Sequence, residues 1–154
     1  MEDILNLKVK CLPHFHELKG ELPSYMTKGS AGIDIRACIH EKITINPMDR
    51  CIVPTGIALE LPHGFEGQIR PRSGLAHNFG ITVLNSPGTI DSDYRGEIKI
   101  ILMNFGKDPF TILHRDRVAQ LVVSKVTRVK IETVTEITTT ERDAQGFGHT
   151  GVSV

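Results

Sequence analysis

Apolar and polar residues alternate with a period of two along much of this chain. Leu7-Lys8-Val9-Lys10-Cys11 alternates, as do Lys42-Ile43-Thr44-Ile45 and Gln68-Ile69-Arg70. Successive side chains of an extended strand face opposite sides, so this alternation predicts half-buried β-strands. Ile52-Val53 and Ile57-Ala58-Leu59-Glu60-Leu61 lie between them, and further Ile-, Val- and Thr-rich runs follow at 97–105, 117–126 and 129–138. Turn formers recur closely: Asn46-Pro47, Pro54-Thr55-Gly56, Pro62-His63-Gly64, Ser86-Pro87-Gly88 and Lys107-Asp108-Pro109. Many short strands between frequent turns predict an all-β sandwich, barrel or jelly roll. One stretch reads as helical: Ser73 is placed to cap a short turn through Leu75, Ala76 and Asn78, with Gly80 ending it.

No internal repeat or linker divides the chain, and 154 residues suit one domain with a real core. The pattern stops near Thr138. Residues 139–154 are polar and Gly-rich, with Phe147 between Gly146 and Gly148. The expected division is a β domain over 1–138 and a flexible C-terminal arm over 139–154. Composition alone makes such an end a disordered tail. Phe147 leaves open an arm that orders on a ligand or a neighbouring subunit.

Composition narrows the picture. Hydrophobic residues make up 40% and aromatics only 5%, without Trp, so the core must rest on Ile, Val and Leu. Eighteen basic and 18 acidic residues cancel. That excludes a broad nucleic-acid or membrane-binding face, but not a small anion site built from a few arginines. Cys11, Cys38 and Cys51 form no disulfide framework and read as small core residues in a reducing compartment. No apolar run reaches bilayer length and the Met-Glu-Asp start is no signal peptide, so the expected location is cytoplasmic.

Several chemistries drop out. Gly146-x-Gly148-x-x-Gly151 fits a dinucleotide fingerprint, but no helix can follow it in the three residues that remain. Cys11, His14 and His16 lack a second metal-ligand pair, and the histidines read as surface or loop residues. The zinc-deaminase signature and a Gly-x-Ser-x-Gly elbow are absent. Four segments remain. Pro71-Arg72-Ser73-Gly74-Leu75-Ala76 puts a cation and free N–H groups at a helix start, which is anion-binding chemistry or simply a capped helix. The segment from Gly88 to Glu97 reads as a hairpin with a wide connection, in which Asp91 and Asp93 are a general base or good turn formers. Asp34, in Ala31-Gly32-Ile33-Asp34-Ile35-Arg36-Ala37, points outward by default, the alternatives being a paired acid or one near a metal. Gln120 lies in an apolar strand and must find partners if buried.

Taken in order, these segments resemble the five motifs of the trimeric dUTPase family: 31–37, 71–76, 88–97, 116–121 and 142–151. The stretch Ile90-Asp91-Ser92-Asp93-Tyr94-Arg95-Gly96-Glu97 is the most distinctive. The resemblance implies a distorted jelly roll with a flexible arm, assembled as a homotrimer with shared active sites. It implies Mg²⁺-dependent hydrolysis of dUTP to dUMP and pyrophosphate, which limits uracil in DNA and supplies dUMP for dTMP synthesis. Asp91 would be the base that activates a water against the α-phosphorus. Arg72, Ser73, Gly74 and Gln120 would donate to phosphate oxygens, and Arg142 would clamp the γ-phosphate. Asp34 would hold Mg²⁺ through water. Asn85, Thr89, Ile90, Tyr94 and Lys99 would form the deoxyuridine pocket, closed by Phe147 and Gly148. Two departures stand out. Arg115 precedes Asp116-Arg117 where the family has Gly, and Asp143 and Gln145 replace glycines of the fifth motif. The alternatives are a dCTP deaminase on the same fold and a non-catalytic nucleotide-binding regulator.

Overall fold

This computed structural model describes residues 4–144, over which ten strands and two short helices follow one another. One sheet runs β1 (Lys8–Cys11), β4 (Arg50–Glu60), β8 (Glu97–Asn104) and β6 (Ile81–Val83). A second runs β2 (Ile33–Arg36), β10 (Arg117–Lys125), β5 (Phe65–Arg70) and β7 (Gly88–Ile90). A small ribbon joins β3 (Ile43–Ile45) to β9 (Phe110–Ile112). All of these pairings are antiparallel. This is the all-β, jelly-roll-like architecture that the alternation predicts. β8 shows why: Ile98, Ile100 and Leu102 are buried, while Lys99, Ile101 and Met103 face outward. Ile35, Val53, Ile112 and Leu121 meet them in the core, where Phe15 is the one buried Phe or Tyr among the described residues.

Several expectations need correction. Pro54-Thr55-Gly56 is no turn but a bulge inside the single strand β4, where the register against β8 shifts between Pro54 and Ala58. Gly56 has φ +71°, and a Cβ there would come within 2.9 Å of Phe15 Cβ and Cys38 Sγ. Pro and Gly mark bulges as readily as turns. The segment from Gly88 to Glu97 is no hairpin either. β7 pairs with β5 and β8 with β4 and β6, so 91–96 crosses from one sheet to the other. Alternation marks a strand without naming its partner. The strand expected at 129–138 does not form, and Val129, Ile131 and Ile137 are 80–89% exposed. β6, β7 and β9, of three residues each, are too short for alternation to reveal.

The helix α2 (Ser73–Phe79) falls where expected, but Ser73 is its first residue, Arg72 occupies the cap position, and left-handed Gly80 ends it. The helix α1 (Pro13–Glu17) is unforeseen, because five residues carry no readable period. Pro13 starts it, and Phe15 sinks into the core beside Gly56. The carbonyls just past its end are held from afar: His114 Nε2 donates to Leu18 O at 2.8 Å and Arg115 Nε to Lys19 O at 3.0 Å. Arg115 itself has φ +70°, and Asp143 has φ +44°. Both therefore adopt the left-handed backbone that glycine takes most easily. All three cysteines are free, with Cys38 buried. Among the described residues no helix is long and apolar enough to cross a membrane.

Candidate active site

Most of the expected pocket gathers around the crossover between β7 and β8. Asn85, Thr89, Ile90, Asp91, Tyr94 and Lys99 all line one cavity of about 250 Å³. Its apolar wall comes from Ile69, Val83, Ile98 and Ile100. Asp91 follows β7 directly, and its carbonyl accepts the Tyr94 N–H at 3.2 Å, closing a turn. Arg95 Nη1 holds that turn from inside, donating to Ser92 O at 2.7 Å and Tyr94 O at 3.0 Å. The Asp91 side chain is exposed and also borders a second cavity of about 430 Å³ with Glu66 and Asp93. The Tyr94 ring folds back over Gly96, where any Cβ would collide with it. Its hydroxyl then donates to Glu97 O at 3.1 Å.

A second cluster forms elsewhere on the chain. Asp34 does not point outward: it is buried, 3.1 Å from Arg117 Nη1 and 3.5 Å from Arg72 Nε. Burying a carboxylate demands such pairing, and two guanidiniums supply it. Arg72 Nη1 also donates to Arg117 O at 2.8 Å. Gln120 stands opposite Asp34 in the β2–β10 register and donates Nε2–H to Pro71 O at 2.9 Å. Gly32 makes room for it, since a Cβ there would collide with Gln120 Oε1. Ser73 and Gly74 lie exposed at the start of α2, whose N–H groups have no side-chain cap. So β2, β10 and α2 together present two arginines, an amide and free backbone donors, a constellation suited to anionic oxygens.

The structure does not merge the two clusters. None of Asp34, Arg72, Ser73, Gly74 or Gln120 lines the cavity that holds Asp91. Arg142 is exposed in the run beyond β10. Phe147 and Gly148 lie outside the described residues. No group of three His, Cys, Asp or Glu able to hold a metal occurs among the described residues.

Sequence reasoning missed three participants. Arg117 completes the Asp34 pair, although the register sets it opposite Arg36 and Gln120 opposite Asp34, so strand pairing alone gives no signal for it. Glu97 lines the same cavity. His14, read as a surface or loop residue, is half-buried and meets Glu97 Oε1 at 3.0 Å from 83 positions away, a contact with no signal in the sequence. Two of the thiols, Cys38 and Cys51, are poor nucleophiles. Burial, and then the Asp49 charge, push Cys51 up to about 11. Burial, and then Glu97, raise Cys38 as well.

Known proteins fit this geometry. A family model described as dUTPase matches residues 19–151. Deoxyuridine 5'-triphosphate nucleotidohydrolase of Caldanaerobacter subterraneus subsp. tengcongensis is 57% identical over 131 residues, covering 85% of this chain and 88% of that protein. The protein of the same name from Anaplasma marginale is 56% identical, covering 94% of this chain and 99% of its own. In three dimensions the chain is similar to the Staphylococcus bacteriophage 80alpha dUTPase solved with dUpNHpp, at a TM-score of 0.84 and 24% identity over 96% of this chain and 99% of that one. It is also similar to a mutant dUTPase of phage phi11 of S. aureus, solved with a structural Mg(II) ion, at a TM-score of 0.75 and 21% identity over 86% and 98%. At such identities the two phage structures speak for the fold alone. The family match and the closer relatives carry the assignment, and they do so across the same segments that build both clusters: the chain belongs to the dUTPase family of dUTP diphosphatases.

Proposed function

We propose that this protein hydrolyses dUTP to dUMP and pyrophosphate, with Asp91 as the base that activates the attacking water. The observation that carries the reading is the exposed Asp91 carboxylate on the rim of a cavity walled by Tyr94, Thr89, Ile90 and Lys99. A carboxylate held beside a water can take its proton near neutral pH. Attack on the α-phosphorus then releases pyrophosphate without a covalent intermediate, so no activated thiol or hydroxyl is needed. Main-chain groups beside Asn85 and Thr89 read the uracil edge. The Tyr94 ring packs under the deoxyribose and excludes a 2′-hydroxyl.

The phosphates belong to the other cluster. Arg72, Gln120 and the N–H groups of Ser73 and Gly74 offer donors for charge that builds on phosphate oxygens. Their separation from the Asp91 cavity supports a homotrimer in which different copies supply the two halves of each site. So does a row of apolar side chains on the outer sheet face: Ile52 is paired with Ile101, with Leu84 beside it, and Ile52 and Leu84 are 59% and 44% exposed. Arg142, Phe147 and Gly148 complete the reading as the arm that closes over phosphate and base.

Mg²⁺ fits only as an ion carried mainly by the substrate. The described residues hold no cage for it, and Asp34 is the single carboxylate in the arginine cluster. Such an ion keeps most of its waters, so Asp34 would hold it through one of them. Its chemistry there is neutralisation of charge across the phosphates. Pyrophosphate release from each deoxynucleoside triphosphate, with and without Mg²⁺, tests the proposal. Release from dUTP alone, dependent on Mg²⁺, is expected. Ammonia from dCTP, or tight dUTP binding without pyrophosphate, would overturn it.

A further inference from the structure

Glu97 is the hinge between the Asp91 cavity and a part of the fold that never reaches it. Its Oε1 accepts the Gly56 N–H at 2.9 Å and meets His14 Nε2 at 3.0 Å. Its Oε2 faces Lys99 Nζ at 3.8 Å. Its backbone carbonyl receives the Tyr94 hydroxyl. One residue thus ties together a cation and an aromatic residue that line the cavity, and its side chain is 15% exposed.

The grip on Oε1 comes from the far side. His14 sits on α1, and α1 is seated firmly. Phe15 is buried against Gly56, Leu12 N–H donates to Gly56 O at 2.8 Å, and His114 and Arg115 hold the helix end. A histidine on so fixed a base holds a carboxylate in one orientation. Without it, Oε1 keeps only the Gly56 N–H, and Glu97 is free to follow the flexible Lys99 ammonium.

We propose that His14 is a positioning residue for the nucleotide pocket, acting through Glu97 to set how Lys99 and Tyr94 stand in the cavity. It touches no substrate, so its effect falls on binding and not on the water attack at Asp91. The inference rests on the dUTP reading above.

Steady-state dUTP hydrolysis of the wild type, His14→Ala, His14→Gln, Lys99→Met and the His14→Ala/Lys99→Met double variant tests it. His14→Ala raises KM about fivefold, less than the loss of a direct hydrogen bond to a charged group because His14 acts through Glu97, and leaves kcat within about twofold. His14→Gln keeps a side-chain N–H for Glu97 and restores most of the affinity. The double variant exceeds Lys99→Met by less than the full His14→Ala effect, because linked residues do not add. A wild-type KM in a folded His14→Ala protein, no rescue by Gln, or strict additivity would overturn the inference. If His14→Ala does not fold, Glu97→Gln decides the matter. It keeps the contacts to Gly56 and His14 but releases the charge on Lys99, so an unchanged KM there also overturns it. A wild type inert towards dUTP would instead sink the proposed function itself.

Discussion

The Asp91 crossover and the Asp34 cluster handle charge in opposite ways. Around Asp91 the backbone is fixed by its own neighbours, with Arg95 bonded to two carbonyls of the same loop, and the carboxylate is left exposed. Around Asp34 the carboxylate is buried and shared by two guanidiniums from different elements. The first region commits little of the fold's stability to its acid and leaves it available for chemistry. The second uses its acid to align cations, so under the proposed function it would join the fold to the binding of phosphate.

This contrast can be broken by substitution. Asp91→Asn has the largest expected effect: kcat for pyrophosphate release falls about 10³-fold, the scale of a lost general base. Its affinity for a non-hydrolysable dUTP analogue and its melting temperature stay unchanged. A loss of stability in that variant would erase the distinction between the regions. Asp34→Ala acts the other way. It leaves two guanidiniums facing each other and lowers unfolding free energy by about 2 kcal/mol, less than for a fully buried pair because both arginines reach solvent. Urea denaturation measures it, and an unchanged midpoint would show that the pair aligns nothing.

Gly32→Ala sharpens the same point. The added Cβ pushes the Gln120 amide off Pro71 O, at about 1 kcal/mol because the displaced group ends a flexible side chain. KM for dUTP rises with it, and an unaltered KM would take Gln120 out of the phosphate site. The smallest effect lies outside both regions. With Cys51 up to about 11, roughly one thiol in a thousand is ionised at pH 8, so alkylation followed by mass spectrometry is slow until the protein unfolds. Rapid labelling of Cys51 in the folded protein would contradict its burial.

Much of the fold was legible because alternation is a local property. β1, β3, β5, β8 and β10 lie where the periods put them. Partnership is not local, and that is where reading failed. The chain at 91–96 carries the turn residues of a hairpin but crosses between sheets, and the alternating run at 129–138 finds no partner within its own chain among the described residues. The site follows the same division. The pocket residues are near neighbours in sequence, or nearly so, and the family pattern marks them. Asp34 was seen but its direction was not, because alternation gives two faces without saying which one carries arginines. His14 meets Glu97 only because a glycine-made bulge brings α1 against β4, which no window of sequence contains.

The left-handed turn at Arg115 has a consequence for how this protein can change over generations. A glycine would settle that backbone by itself. Here the strained residue is anchored by its own guanidinium to Lys19 O, 96 positions away, where the backbone is left-handed too. The two corners now depend on each other. An insertion near Lys19 would be felt at the head of β10, so substitutions at 19–21 and at 115 should be inherited together, and a lineage that regained glycine at 115 would be free to vary the other corner.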